Sequence, residues 1–148
     1  MKNKISLIIK FCRTPLAEQL LYCEVIFLLA LSRIVILMMP FKWIAPVLGQ
    51  HMASTDEISS KENQQTAIRI SRAICTLSDH LPWECKCLVQ AMSGKIMLRQ
   101  RKVATTLYLG VSKKENNDLG AHAWLRMGEL VILGGGGLEQ FAVVSTFA

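Results

Sequence analysis

Between Trp83 and Leu133 the hydrophobic repeat changes period, and that change restricts the fold more than any other feature of the chain. From Trp83 to about Arg101 the spacing is helical, with Cys87, Ala91, Gly94 and Leu98 along one face and Leu88, Met92 and Ile96 beside it. From Val103 to Val111 apolar residues alternate, which is the period of a strand. Ala121–Met127 and Glu129–Leu133 read as two further strands folded about Gly128 as a hairpin. A helix that gives way to a small antiparallel sheet belongs to the α+β class.

Upstream, the chain changes character twice. Residues 1–50 are apolar and helical in spacing, with Leu21, Val25, Leu28, Leu29 and Ser32 on one side and Ile36 and Met39 continuing it. Glu24, Arg33 and Lys42 interrupt this stretch and Pro40 and Pro46 break its tail, which disfavours a membrane-spanning helix. The stripe suits a core helix, a docking face, or a segment lying at a membrane surface, where Lys42 and Trp43 would sit comfortably. Residues 51–65 form a polar connector containing helix-start chemistry at Ser54 or Thr55 and at Ser59 or Ser60. A helix is then expected through about Leu77, burying Ile70, Ala73, Ile74 and Leu77. Ser78-Asp79-His80 ends it, and Leu81-Pro82-Trp83 leads on in extended form. Residues 66–148 thus form the folded core, in a chain of 148 residues sized for one domain with an apolar appendage.

A net charge of +6 would suit an acidic peptide, a membrane surface or a nucleic acid. The densest cluster, Lys95, Arg99, Arg101 and Lys102, closes a predicted helix, where cations complement the helix dipole without any partner. Nucleic acid is therefore not the expected partner. Five cysteines, at 12, 23, 75, 85 and 87, show no paired Cys-x-x-Cys spacing for zinc. No secretory signal is recognisable, so reduced thiols in the cytoplasm are expected, with membrane association as the alternative for the apolar stretch. Cys12, Cys23 and Cys75 fall within apolar helical patterns and read as inert filler, while His51 and His80 read as solvent-facing, with His80 able to cap its own helix as a cation. Gly134–Gly137 lacks the Lys-Ser or Lys-Thr that a phosphate loop requires.

Two residues carry chemistry in this frame. Cys87 stands in the first turns of its helix, where free amides and the positive end of the dipole favour a thiolate and can hold an oxyanion. His122 shares one strand face with Trp124 and Arg126, and the alanines on either side leave room for a neighbour at its ring. A helix packed across the strands would bring the two together. Taken singly, Cys87 is a small core residue and His122 a core or surface histidine. A zinc reading, with Cys85, Cys87 and His80 or His122, suffers because Cys-x-Cys on a helix splays its sulfurs about 200 degrees apart.

The words around these residues carry a resemblance. Leu81-Pro82-Trp83, Lys86-Cys87-Leu88-Val89-Gln90-Ala91-Met92, Leu107-Tyr108-Leu109-Gly110-Val111, Ala121-His122-Ala123-Trp124-Leu125, Val131-Ile132-Leu133-Gly134-Gly135 and the tail Phe141–Phe147 resemble the stand-alone protease of lasso-peptide biosynthesis. That component is a transglutaminase-like cysteine protease that removes the leader from a precursor peptide. The resemblance implies a transglutaminase-like (papain-like) fold, Cys87 as nucleophile in preference to Cys85, and His122 as base. It also implies a precursor peptide, a small leader-recognition protein and an ATP-dependent, asparagine-synthetase-like cyclase as partners, with no cofactor bound directly by this chain.

One departure bears on mechanism. Relatives with a full triad carry an aspartate after the His-Ala-Trp strand, where this chain reads Leu130–Gly135 without a carboxylate. The candidates to orient His122 are Glu129, Asp118 and a backbone carbonyl near Gly134, and the working expectation is a dyad with a backbone or water orienter. Trp83 and Trp124 are candidate walls of a substrate cleft, with packing as their default role. A non-catalytic docking protein with a degenerate core is the alternative reading, and acyl transfer to an amine is chemically open to the same pair.

Overall fold

Proline punctuates the first third of the chain. The computed structural model describes residues 13–55, 60–113 and 119–148. Helix α1, Leu16–Met38, starts directly after Pro15 and stops at Met39, which is extended (φ −119°, ψ 139°) because a residue before proline is kept out of the helical region. Helix α2, Phe41–Leu48, begins after Pro40. Pro46 does not break it, contrary to the expectation from sequence. It removes one hydrogen bond from a short helix that is anchored by buried Ile44 and Leu48.

Helix α3, Lys61–Ser78, opens on Ser60, whose hydroxyl accepts from the Asn63 amide at 3.2 Å. It buries Ala67, Ile70, Ala73 and Ile74, while Leu77 packs half-buried against the core. His80 Nδ1 closes the helix on the Thr76 carbonyl at 2.6 Å. Asp56–Ser59 lie outside the described residues, and with them part of the helix-start chemistry at Ser54 and Thr55. Helix α4, Cys87–Gln100, starts later than expected, since Lys86 is still extended (φ −65°, ψ 167°). Cys87 is thereby its first residue.

Four strands follow, β1 Thr106–Lys113, β2 Leu119–Met127, β3 Leu130–Leu133 and β4 Ala142–Phe147, in one antiparallel sheet of order β3-β2-β1-β4. β1 begins later than the alternation suggested. Lys102 turns the chain in a left-handed conformation (φ 57°), the Val103 amide bonds back to the Leu98 carbonyl at 2.9 Å, and Val103 and Thr105 are buried in this connection. Gly128 turns β2 into β3 at φ 56°. The tail supplies β4, which pairs with β1 through a register shift at Leu109/Gly110.

Helix α4 is the centre of the packing. Val89, Ala91, Met92, Ser93, Gly94, Met97 and Leu98 are buried, against α1 on one side, the sheet on another and α3 beside it. Small residues permit the approach: a Cβ at Gly94 would stand 2.6 Å from Leu133 Cδ1 and 3.2 Å from Leu125 Cδ2. Toward α1, the Ser93 hydroxyl meets that of Ser32 at 3.1 Å and donates to the Val89 carbonyl. The core runs without a break from Leu21 of α1 to Phe147 of β4, so the apolar N-terminal helices are part of it. By length and composition α1 is also apolar enough to cross a membrane, with mean hydropathy 2.3 over its most apolar window.

Lys95 departs from the expected basic cluster. It is 4% exposed and its ammonium donates to the Thr105 carbonyl at 2.6 Å. Burial, with Arg99 adding repulsion, lowers its pKa from 10.5 to about 8. Below about pH 8 the ammonium is charged in both folded and unfolded chains, and the fold carries the full desolvation cost. From about 8 to 10.5 the folded protein has released a proton that the unfolded chain keeps, so stability rises with pH there. Denaturant unfolding across this window should show the wild type gaining stability relative to Lys95→Met; parallel pH profiles for the two proteins would contradict the assignment.

Candidate functional site

The segment before α4 is held by backbone contacts and leaves the helix start free. The Gln90 amide side chain donates to the Cys85 carbonyl at 2.8 Å, and Lys86, at the cap position, makes no side-chain capping bond. The first-turn amides therefore remain available. Cys87, half-buried, lies against the edge of the core. Cys85 differs: burial pushes its thiol above the ordinary value, which keeps it protonated, and its Sγ lies 3.8 Å from the Trp83 carbonyl. Of the two, Cys87 is the better placed for thiolate chemistry. Cys23 and Cys75 are exposed and not core filler, and Cys12 lies outside the described residues.

His122 is fixed on β2 by three neighbours. Its ring stacks with Phe141 at 4.9 Å between centroids and with Trp124 at 6.0 Å. Its Nε2 lies 2.8 Å from the Gly134 carbonyl. A carbonyl only accepts, so Nε2 carries the proton, and in the neutral ring Nδ1 is left as the acceptor, the atom a general base needs. Gly134 immediately follows β3 with φ +73°, and a Cβ there would fall 2.5 Å from the Ala123 carbonyl oxygen and 3.0 Å from Trp124 Cβ. Only glycine fits that corner comfortably.

The rest of this sheet face extends the stack. Tyr108 of β1 lies 5.5 Å from Trp124 and nearly parallel to it, and the Arg126 guanidinium sits 5.6 Å over the Tyr108 ring. Gly110, paired with His122, leaves the space that the Trp124 ring fills: a Cβ would lie 2.8 Å from that ring. Trp124 is 4% exposed, a packing residue more than a wall of an open cleft. Trp83 is half-buried, and its indole Nε1 is buried without a hydrogen-bond partner. Glu129 is exposed in the β2–β3 turn, where its backbone carbonyl accepts from Arg126 at 3.3 Å. Asp118 lies outside the described residues. No group of three potential metal ligands converges among the described residues.

The thiol and the imidazole are carried by two elements that share one contact, Gly94 of α4 on Leu125 of β2. The short link from Gln100 to Thr106 puts the C-terminal end of α4 beside the Thr106–Arg126 pair. From Gly94, which packs on Leu125, Cys87 lies about 10 Å back along the helix, and His122 lies about 10 Å from Leu125 along its strand. The faces differ, however. Ala123 and Leu125 belong to the core under α4, while alternation sends His122 and Trp124 to the opposite side. β3 ends with Leu133 opposite Leu125, so the flank of β2 beside His122 has no β3 partner. No hydrogen bond joins the Cys87 thiol to the His122 ring among the described residues.

Sequence reasoning did not find Phe141, Tyr108, Gly110 or Gln90 as parts of this environment. Gly110 was the accessible signal, since a glycine inside a strand marks a close approach. A thiol that opens a helix and an imidazole on the neighbouring strand, on an α+β scaffold, describe a class of thiol enzymes. Residues 35–146, well over half of the chain, match the Transglutaminase-like superfamily, and the protein belongs to it. Its members are typically cysteine peptidases and acyltransferases. No curated protein and no solved structure matches the chain significantly.

Gly134→Ala should destabilise the protein by about 1–3 kcal/mol, from positive φ and from the clash with the Ala123 carbonyl. It should also alter the His122 ring resonances in NMR spectra, because the carbonyl that holds Nε2 must move. An unchanged melting temperature and unchanged ring signals would show that this corner is not needed.

Proposed function

We propose that this protein is a cysteine peptidase that cleaves the leader from a ribosomally made lasso-peptide precursor. The single observation that carries the reading is the His122 ring, which has Nε2 committed to the Gly134 carbonyl and Nδ1 left to accept a proton. Superfamily membership and the words around Cys87 and His122 support it. The Cys87 thiol passes its proton to Nδ1 as Sγ attacks the carbonyl carbon at the leader–core junction. Amides of the first turn of α4 hold the oxyanion. Collapse breaks the C–N bond, and the imidazolium gives its proton to the departing amine of the core peptide. Water, deprotonated by Nδ1, then hydrolyses the thioester and frees the leader carboxylate.

Attack requires Sγ to reach Nδ1 around the edge of β2 that β3 leaves unpaired beyond Leu125. In this reading a leader-recognition protein presents the precursor, an asparagine-synthetase-like cyclase takes the core peptide, and the work is done in the cytoplasm. This chain itself needs no cofactor. Any ATP dependence belongs to the cyclase.

The missing thiol–imidazole hydrogen bond favours a second reading, a docking protein whose degenerate core only binds peptide. Incubation with a precursor and its recognition protein, followed by mass measurement, separates the two. Wild type should yield a free core peptide, and Cys87→Ala should yield none. His122→Ala should lose at least about a hundredfold in rate. Cys85→Ser should stay active. Absent cleavage by the wild type, or full cleavage by Cys87→Ala, sinks the peptidase reading; a product joined to an added amine points to acyl transfer.

A further inference from the structure

Helix α1 has two apolar faces, and only one is used by the fold. The inner face, with Val25 and Leu29 fully buried, belongs to the core. On the opposite side Leu16, Leu20, Phe27, Leu31, Ile34 and Met38 form a stripe at helical spacing, each between 41% and 79% exposed. Over 22 residues that stripe is about 33 Å long. Trp43 and Val47 of α2, 62% and 54% exposed, extend the apolar surface. A patch of this size on a soluble surface marks a contact.

The charges of α1 say what kind of contact. Its three charged side chains are all paired with the rest of the protein: Glu18 with Arg69 at 2.5 Å, Glu24 with Arg101 at 2.6 Å, and Arg33 with Glu84 at 3.6 Å. The outward stripe is left without a charge. Protein interfaces carry polar groups at their rims that fix register, whereas hydrocarbon penalises every unpaired one. Cations stand at the two ends, Arg13 ahead of the stripe and Lys42 beside exposed Trp43, on a chain of net charge +6. A cation and an aromatic at the margin of an apolar face suit the headgroup layer of an anionic bilayer.

We infer that the outer face of α1, with Trp43 and Lys42 at its end, docks this protein on an anionic lipid surface. The helix lies in the plane of the interface and does not span it, because insertion would tear Val25 and Leu29 from the core. The inference is independent of the peptidase reading.

Sedimentation of the full chain with phosphatidylcholine vesicles containing about one third phosphatidylglycerol tests it. The protein should pellet with these vesicles and much less with pure phosphatidylcholine, and Trp43 emission should shift to the blue on binding. The double variant Phe27→Gln/Ile34→Gln, with circular dichroism unchanged, should lower the bound fraction about tenfold. Trp43→Phe should remove most of the spectral shift, since Trp124 is buried and Trp83 half-buried. Wild type that stays in the supernatant with unchanged Trp43 emission overturns the inference, as does a stable dimer that ignores vesicles, which would make a second copy the occupant. Retention through an alkaline carbonate wash overturns the in-plane geometry.

Discussion

Helix α4 can sit where it does only because Gly94 has no side chain. Leu133 and Leu125 press on it from the sheet, and Ser93, one residue earlier, meets Ser32 of α1 on the other side. The helix is therefore enclosed by the sheet, α1 and α3 together, and its first residue is held at a defined end of the sheet. The position of the Cys87 thiol, the choice of which β2 residues face inward, and the recruitment of α1 into the core all follow from that one close approach. A bulky residue at 94 would separate the layers and cost roughly the 1–3 kcal/mol of an overpacked core, or more.

How much of this was legible in the sequence depends on which physical signal each element carries. The switch from helical to alternating spacing fixed α4, β1, β2 and β3 to within a few residues, because burial on one face writes a period into the chain. The start of α4 was misplaced toward Trp83, since the pattern cannot register where an extended approach turns helical. Lys95 was misread for a similar reason: a lysine is counted as surface charge unless its surroundings are known, and only the fold shows it beneath the Thr105 carbonyl. The role of α1 was ambiguous because both its faces are apolar, and a pattern with two apolar faces does not say which is used.

The candidate site divides in the same way. Cys87 and His122 stand out by the words around them; the first opens α4 and the second lies within β2. The aromatic surroundings were not readable. Phe141 reaches His122 from a chain segment 19 residues away, and Tyr108 reaches Trp124 across a strand pair, so neither contact leaves a local trace. The pair of unlike environments at Cys85 and Cys87, two residues apart, depends on where α4 begins. Both thiols are half-buried, one in the extended approach and the other opening the helix.

The contact between His122 and Gly134 has a consequence that differs from that of a carboxylate in the same corner. A backbone carbonyl has no proton to gain in acid and no net charge for salt to screen. The tilt of the imidazole is thus set by the path of the main chain as it leaves β3, and it holds over conditions that would neutralise an aspartate. Among the described residues no carboxylate is paired with the ring to steady it when it becomes a cation. The ring thus has the kind of orienter expected from the sequence, a backbone carbonyl near Gly134, in place of a charged one.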